Sequence, residues 1–359
     1  MAKKVQHGAN LFDLQKKYGF KLEEIMDFSS NINPFGPDPE SLQVLVDHID
    51  MAKVYPDPAY VDLRQAISAY TGCDPDHIVL GAGTTDLLAS YIGLVHPEKA
   101  LLNSPCYSEY ERELDKIGAQ VFHYNLDKTR DFVFDVEEII DLIQKNSIDL
   151  YVLTNPNNPT GSVLKVGDVE KILDQTEAHL LIDETYIEFT DKAKYTSTYL
   201  ASQKDRLFVV RSTSKFFASP GIRLGYGILS EKEYLDKLTN ELTLWGVNIY
   251  ADLMGIHMFQ NKAYQDQVYA HTEGERRRMT DRLSKLKSIK VYPSFGNFIL
   301  VELLEDMDAK TLRDQLLPRK LVIRDCASFP NLSPFFFRFC ILSKEENDLL
   351  LDGLEDLLD

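Results

Sequence analysis

The stretch Arg211–Tyr226, RSTSKFFASPGIRLGY, contains one lysine, Lys215, and an arginine, Arg223, eight positions after it. It follows the apolar run Leu207–Val210, which predicts a short buried strand. Open α/β sheets bind their ligands just beyond the carboxyl ends of their strands. The sequence therefore predicts that Lys215 lies at a ligand-binding edge of such a sheet.

The residues around Lys215 favour lysine chemistry at a phosphate site. A lysine amine is a nucleophile only after it loses its proton, which burial or a nearby cation such as Arg223 promotes. The hydroxyls of Ser212 and Ser214 and the Arg223 guanidinium are suited to binding phosphate oxygens. A lysine beside a phosphate cradle is typical of a Schiff base to pyridoxal phosphate. The alternative is a solvated lysine in a serine-rich loop, and the rest of the chain must decide between the two.

Composition narrows the class of protein. The chain has 359 residues, 44% of them hydrophobic, which predicts two domains with sizeable cores. A formal net charge of -17 argues against nucleic acid or an anionic membrane as partner. The four cysteines form no paired motif and the eight histidines show no ligand spacing, so we expect no disulfide framework and no metal. The absence of a secretory signal or a membrane-length apolar run leads us to expect a cytoplasmic protein.

Short apolar runs alternate with predicted helices, and several runs end in polar loops. This alternation predicts a mainly parallel sheet, whose strand ends converge on one crevice. A glycine turn before a helix can also hold phosphate on free N–H groups. The loops are Gly81–Asp86 (GAGTTD), Thr154–Gly161 (TNPNNPTG) and Asp183–Tyr186 (DETY), besides the lysine stretch.

The order N-P-N-N-P-T-G, D-E-T-Y and S-T-S-K, with an arginine eight residues later, resembles the fold-type I pyridoxal-phosphate enzymes over essentially the whole chain. The resemblance implies an α/β fold of the aspartate aminotransferase type. A large domain would hold a mainly parallel seven-stranded sheet and the cofactor, beside a smaller α+β domain. We expect residues 1–45 to form an N-terminal arm belonging to the small domain, 46–245 the large domain and 246–359 the small C-terminal domain.

The resemblance also implies roles for individual residues. Lys215 would carry pyridoxal 5'-phosphate and move the proton, Asp183 would keep the ring nitrogen protonated, and Tyr186 would donate to the phenolic oxygen. These three are the expected catalytic residues. The expected cofactor-binding residues are Gly83, Thr84, Thr85, Tyr107, Asn158, Asp183, Tyr186, Ser212, Ser214, Lys215, Arg223 and Tyr55. The expected substrate-binding residues are His7, Asn31, Asn158, Arg324 and Arg338.

Some of these positions have simpler readings. Asn31 is also a turn former, and either arginine, Arg324 or Arg338, could belong to a structural ion pair. Tyr55, in the Y-P-D-P motif, resembles the tyrosine that reaches the cofactor phosphate of a neighbouring subunit. The resemblance thus implies a homodimer with shared active sites, or else Tyr55 caps a core.

Two branches of the superfamily share this length and the Y-P-D-P motif. One is threonine-phosphate decarboxylase, which makes aminopropanol phosphate for cobamide assembly, and the other is histidinol-phosphate aminotransferase, which uses 2-oxoglutarate and glutamate. The arm, H-G-A-N at 7–10 and D-F-S-S-N-I-N-P-F-G-P at 27–37, resembles the decarboxylase branch. Ala9 and the bulky run Phe335–Phe337 depart from its pattern. A non-catalytic regulator with this fold is a third alternative. Such regulators resemble fusions with an N-terminal DNA-binding domain, whereas here only about 45 residues precede the core and that segment is not basic overall, so this alternative is disfavoured.

Overall fold

The computed structural model describes residues 9–242 and 244–358. Its strands are β1 Met26–Asp27, β2 Ile78–Gly81, β3 Lys99–Ser104, β4 Gln120–Asn125, β5 Leu150–Thr154, β6 His179–Asp183, β7 Leu207–Ser212, β8 Gly225–Ile228, β9 Ile289–Val291, β10 Phe298–Leu303, β11 Leu321–Val322, β12 Arg324–Asp325 and β13 Phe336–Cys340. Its helices are α1 Leu11–Tyr18, α2 Pro39–Asp47, α3 Val61–Thr71, α4 Thr84–Val95, α5 Glu109–Lys116, α6 Val136–Asn146, α7 Val166–Gln175, α8 Lys192–Tyr195, α9 Thr198–Ala201, α10 Lys232–Glu241, α11 Ile249–Met258, α12 Lys262–Leu283, α13 Ala309–Leu316 and α14 Lys344–Leu358.

Seven strands form the central sheet, in the order β2-β8-β7-β6-β5-β3-β4. All neighbours pair in parallel except β8, which runs antiparallel to both β2 and β7. The expectation of a mainly parallel seven-stranded sheet is therefore confirmed. The sequence reading missed β8, because its residues Gly-Tyr-Gly-Ile carry too few branched apolar side chains to be recognised as a strand.

The central sheet is buried on both faces, as a parallel sheet covered by helices must be. Every residue of β5 and of β7 is buried. Alternate residues contribute to two separate hydrophobic clusters. One cluster contains Leu101, Tyr151, Leu153, Leu180, Ile182, Leu207 and Val209, and the other contains Leu102, Val152, Leu181, Phe208 and Val210.

A second sheet is built mostly from the C-terminal part of the chain. It is antiparallel, with the order β12-β13-β10-β9. A separate parallel pair, β1 with β11, ties the N-terminal segment to this part through Met26 opposite Leu321 and Asp27 opposite Val322. This pairing agrees with the placement of the arm beside the small domain, while the division at residues 45 and 245 stays a prediction.

The parallel register aligns the polar ends of neighbouring strands. Thr154 at the end of β5 lies opposite Asp183 at the end of β6, and Asp183 lies opposite Val210 of β7. The residues that follow these strands are therefore brought to one edge of the sheet. Within the described part of the chain, no helix combines the length and apolar character that a membrane crossing requires.

A buried ion pair joins β7 to the loop after β6. The Arg211 guanidinium donates from Nε to Glu184 Oε2 at 3.0 Å and lies 3.4 Å from Glu188 Oε1. Its Nη2 also donates to the Thr196 hydroxyl at 2.5 Å. The side chains of Arg211 and Glu184 are 3% and 0% exposed. Because Arg211 precedes Ser212 and Glu184 follows Asp183, this pair couples the ends of two strands that carry predicted site residues.

Replacing Arg211 by Met should destabilise the protein strongly. The variant leaves the Glu184 and Glu188 carboxylates buried without their cation, which typically costs about 3–5 kcal/mol. Urea unfolding followed by circular dichroism measures the loss. Arg277→Met is the matched control, because the Arg277 side chain is 72% exposed. A loss for Arg211→Met no larger than that of the control would show that the pair contributes little to stability.

Candidate active site

Lys215 lies just beyond the end of β7, where the sequence placed it. Its Nζ donates a hydrogen bond to the Ser30 carbonyl at 2.7 Å. Burial, with the nearby Arg338 guanidinium acting in the same direction, lowers the pKa of Lys215 to about 8. A minor fraction of this amine, far larger than for an ordinary lysine, is therefore neutral and nucleophilic near physiological pH.

Asp183 is a buried carboxylate at the end of β6. It accepts hydrogen bonds from the Thr185 N–H at 2.9 Å, the Thr185 hydroxyl at 2.5 Å and the Tyr110 hydroxyl at 2.8 Å. Burial raises the pKa of Asp183, and these three donors oppose the rise. Over the described ranges no cation forms an ion pair with it. The Asp183 carboxylate is thus fixed in orientation by neutral donors and could bind a cationic group.

Tyr186 and Asn31 are joined across the site. Asn31 Nδ2 donates to the Tyr186 hydroxyl at 3.1 Å, and Asn297 Nδ2 donates to the Asn31 carbonyl at 2.9 Å. Asn31 is fully buried in the left-handed region, with φ 58°, and its Oδ1 has no partner. A buried oxygen of this kind is suited to accept from a ligand donor. The substrate-binding role of Asn31 stays a prediction.

Arg338 is buried on β13 and contacts oxygen atoms of neutral groups. Its Nη1 donates to Asn158 Oδ1, and its Nη2 donates to the Ser29 carbonyl at 2.7 Å. The Nε is buried without a partner, and the guanidinium lies 5.2 Å from the centre of the Phe298 ring. No described carboxylate forms an ion pair with Arg338, so the reading of a structural ion pair does not apply to it.

Arg324 is the cross-strand neighbour of Arg338. The two residues are opposite each other in the β12–β13 register, and both are buried. Arg324 Nη2 donates to the Ser328 hydroxyl at 2.9 Å, and burial lowers the pKa of Arg324.

The run Phe335–Phe337 belongs largely to the core. Phe336 and Phe337 are buried, and Phe336 stacks on Tyr292 with 5.9 Å between the ring centres.

The turn between β2 and α4 has the geometry of an anion-binding helix start. Helix α4 begins at Thr84 after Gly83, which has φ 97° and provides no capping side chain. The N–H groups of Thr84 and Thr85 lie in the first turn, where the helix offers them no acceptor. Gly225 on β8 approaches so closely that an added Cβ would lie 2.6 Å from the Gly83 carbonyl carbon. Only glycine at position 225 allows β8 to pack this closely against the turn.

The side chains predicted to hold phosphate lie around this turn. The Ser212 hydroxyl donates to Ser214 Oγ at 2.8 Å and accepts from the Ser214 N–H at 3.0 Å. Arg223 donates to the carbonyls of Ala82 and Pro220, at 3.0 and 3.2 Å. A Cβ on Gly83 would collide with the Arg223 guanidinium, so this arginine lies directly over the turn.

Two predicted aromatic contacts lie at different depths. Tyr107 follows β3, is half-buried, and packs its ring against Tyr110 at 5.5 Å. Tyr55 is 75% exposed and stacks on Trp245 at 4.4 Å, so it does not cap a core. His7 lies outside the described residues.

Several contacts were not predicted from the sequence. Tyr110 and Thr185 hold Asp183, and the carbonyls of Ser29 and Ser30 hold Arg338 and Lys215. Thr185 had a sequence signal because it lies within the D-E-T-Y motif, whereas Tyr110, in the first turn of α5, belongs to no motif. Backbone carbonyls have no sequence signal.

The arrangement fits pyridoxal 5'-phosphate. Asp183 has no cationic partner among the described residues and could pair with a protonated ring nitrogen, while the Gly83 turn, Ser212, Ser214 and Arg223 provide N–H, hydroxyl and guanidinium donors of the kinds that bind phosphate. Lys215 supplies an amine of lowered pKa. Asn158 has its Oδ1 occupied by Arg338, so only its Nδ2 remains to donate to the phenolic oxygen. The described residues contain no cluster of three or more His, Cys, Asp or Glu placed to hold a metal ion.

The fold and site are those of a pyridoxal-phosphate enzyme, and comparison with known proteins agrees. The profile of the family "Aminotransferase class I and II" matches residues 23–354. A Caldanaerobacter subterraneus subsp. tengcongensis protein, provisionally named a threonine-phosphate decarboxylase, is 33% identical over 99% of this chain and 94% of its own.

Two solved structures extend the comparison. The histidinol-phosphate aminotransferase of Clostridium acetobutylicum is 33% identical, covers 92% of this chain and 98% of its own, and superimposes with a TM-score of 0.86. That of Sinorhizobium meliloti, solved with pyridoxal-5'-phosphate, is 21% identical, covers 99% and 95%, and has a TM-score of 0.87.

The chain belongs to the class I and II aminotransferase family. It is a pyridoxal-phosphate-dependent enzyme with the aspartate aminotransferase-like fold. Enzymes named as decarboxylases and as aminotransferases are about equally similar to it. The family therefore establishes the cofactor, and the reaction must be argued separately.

Replacing Gly225 by Ala should close the helix-start turn. The new Cβ would lie 2.7 Å from the Thr84 nitrogen, forcing a backbone shift that we expect to cost about 1–3 kcal/mol of stability. Cofactor affinity, measured by fluorescence titration, should fall by about tenfold, or 1.4 kcal/mol. Gly93→Ala is the matched control, since a Cβ there meets nothing within 4 Å. Equal affinities for both variants would contradict this account.

The cofactor should attach to Lys215 with a pH dependence set by its lowered pKa. Because only the neutral amine reacts, the attachment rate should rise with pH and level off above about 8. The absorbance band of the lysine-bound cofactor reports the reaction. Lys215→Ala should lack this band, and Lys232→Ala, whose lysine is 84% exposed, should retain it. A rate still rising steeply at pH 10 would assign the band to an ordinary surface lysine.

Proposed function

We propose that this enzyme decarboxylates L-threonine O-phosphate to (R)-1-aminopropan-2-yl phosphate, a reaction of cobamide-type biosynthesis. The observation that carries the proposal concerns Arg338. This residue is buried, with only 4% of its surface exposed, and among the described residues it contacts only neutral oxygen atoms. An unpaired buried guanidinium is costly unless an anion joins it. The expected anion is part of the substrate.

A second buried guanidinium argues for a substrate with two anionic groups. Arg324 lies opposite Arg338 on the adjacent strand, so the two cations share one face of the small sheet. L-threonine O-phosphate carries a carboxylate and a phosphate on a short chain. Each anion can therefore bind its own arginine while the amino group remains directed at Lys215.

The bound cofactor supplies an electron-accepting ring that weakens whichever Cα bond stands perpendicular to it. The residues of this chain decide which bond that is. Arg338 and Arg324 would orient the two anions, and the hydrogen-bonded side chains of Asn31 and Tyr186 lie buried, with Tyr186 near Arg338. With the carboxylate held by these residues for cleavage, the bond from Cα to the carboxyl carbon would break and carbon dioxide would leave. Protonated Lys215 Nζ would then give its proton to Cα in place of the carboxyl group.

The sequence of the arm also supports the decarboxylase. Residues 27–37, D-F-S-S-N-I-N-P-F-G-P, resemble the decarboxylase pattern, and they supply Ser29, Ser30 and Asn31 to the site. The relative from Caldanaerobacter is named for the same reaction. The substrates of such relatives are phosphorylated amino-acid-like compounds, which is consistent with two buried arginines on one face of the small sheet.

A histidinol-phosphate-type aminotransferase is the alternative. It is favoured by the 33% identity and TM-score of 0.86 to the Clostridium acetobutylicum enzyme. In that reaction Arg338 would hold the carboxylate of glutamate in the plane of the ring, and the Cα–H bond would break instead. Lys215 and Asp183 would serve both reactions equally.

We also propose that the enzyme is a homodimer with shared active sites. Tyr55 is exposed although the family resemblance assigns it a cofactor contact, and its ring is held in place by Trp245. A second subunit would explain an ordered aromatic side chain on the surface. Exposed apolar side chains on α2 and the following turn, Leu42, Val46 and Ile49, are available for the contact.

The deciding experiment measures carbon dioxide release from L-threonine O-phosphate by the cofactor-loaded enzyme without any keto acid. We expect catalytic release, and Arg338→Met should lose about 10²-fold or more, because the carboxylate is no longer oriented. Arg277→Met is the control, since Arg277 lies on the surface of α12. No release, together with conversion of the cofactor to its amino form by glutamate, would assign the enzyme to the aminotransferases.

A further inference from the structure

The segment Asp27–Asn31 offers a continuous row of backbone acceptors to the site. The Phe28 carbonyl accepts from the Cys340 N–H at 2.8 Å, which attaches the segment to β13. The next two carbonyls accept from charged side chains: Ser29 from Arg338 Nη2 and Ser30 from Lys215 Nζ, both at 2.7 Å. The Asn31 carbonyl accepts from Asn297 Nδ2 at 2.9 Å.

The side chain of Asp27 folds this segment. Its Oδ1 accepts from the Ser29 N–H at 2.9 Å and from the Ser29 hydroxyl at 2.6 Å. Its Oδ2 accepts from the Ser30 hydroxyl. Three hydrogen bonds from Ser29 and Ser30 to this one carboxylate form a tight turn of the Asx type. The backbone of Asp27 is itself held by pairing with Val322 in β11.

We propose that Asp27 is a positioning residue, which folds the Ser29–Ser30 turn so that two consecutive carbonyls hold Arg338 and Lys215 in their working positions. This proposal rests on the roles assigned above to Arg338 and Lys215. It does not depend on whether the reaction is decarboxylation or transamination. Neither of these carbonyls carries a sequence signal, so the aspartate that directs them is the residue on which selection could act.

The charges around Lys215 give the proposal a measurable consequence. Two residues of β13 act on the Lys215 amine. The charge of Arg338 lowers the pKa of Lys215, and Cys340 raises it. From β1, the Asp27 carboxylate raises the pKa of Lys215. The Ser30 carbonyl also accepts from the protonated amine. Loss of Asp27 removes its negative charge and loosens that acceptor, and both changes favour the neutral amine.

The test measures the pH midpoint for acylation of Lys215 by acetic anhydride in the full-length, cofactor-free chain, quantified by peptide mass spectrometry. Asp27→Asn, which is nearly isosteric, should lower this midpoint from about 8 by roughly half a pH unit or more. In the holoenzyme, the absorbance titration of the lysine-bound cofactor should shift in the same direction. Asp308→Asn is the control, because Asp308 caps α13 and asparagine also caps helices well.

A second variant separates charge from position. Asp27→Glu keeps the negative charge but lengthens the side chain, so the turn cannot form with the same geometry. We expect its midpoint to shift as well. If the acylation midpoint of Asp27→Glu equals that of the wild type while the midpoint of Asp27→Asn is lowered, then the charge of Asp27 acts alone. That result would overturn the positioning role. Unchanged midpoints in both variants, with unfolding curves like those of the wild type, would overturn the proposal altogether.

Discussion

The hydrogen bond from Lys215 to the Ser30 carbonyl connects the two parts of the chain that make the site. One part is the end of β7 in the central sheet, and the other is the N-terminal turn attached to the small sheet through β13. Burial at this junction lowers the pKa of Lys215, which gives the amine its reactivity. Lys215, Arg338 and Tyr186 all contact the N-terminal turn at this junction between the sheets.

Around the junction, charges are buried without counter-ions. Asp183 contacts only neutral donors, and Arg338 contacts only neutral acceptors within the described residues. Burying such groups without a counter-ion costs free energy, and a cationic ring nitrogen and a substrate anion would offset that cost under the proposed roles. By contrast, the Arg211–Glu184 pair directly behind them is internally matched. The Arg211–Glu184 charges are thus paired within the protein, whereas the charges of Asp183 and Arg338 are not paired with any described residue.

The motifs at strand ends were readable from the sequence because they combine a local signal with a general property of parallel sheets. Asp183 and Lys215 follow apolar runs, and all strands of one direction end at one edge. The antiparallel β8 was missed because two of its residues are glycine. Its Gly225 is needed for close approach to the Gly83 turn, a requirement set by a distant segment. The domain boundaries and the roles of individual site residues stay predictions.

By itself, the sequence determined the class of fold, through its periodicity, and the cofactor, through motifs of adjacent residues that resemble a known family; the roles of Lys215 and Asp183 stay predictions. Three contacts were decided only by the tertiary structure. Arg324 lies opposite Arg338 in the sheet, Asn297 donates a hydrogen bond to the Asn31 carbonyl, and the Asp27 carboxylate folds the turn beside Lys215. Those contacts join residues up to 309 positions apart. They are made by backbone carbonyls and cross-strand register, which no local pattern of side chains encodes.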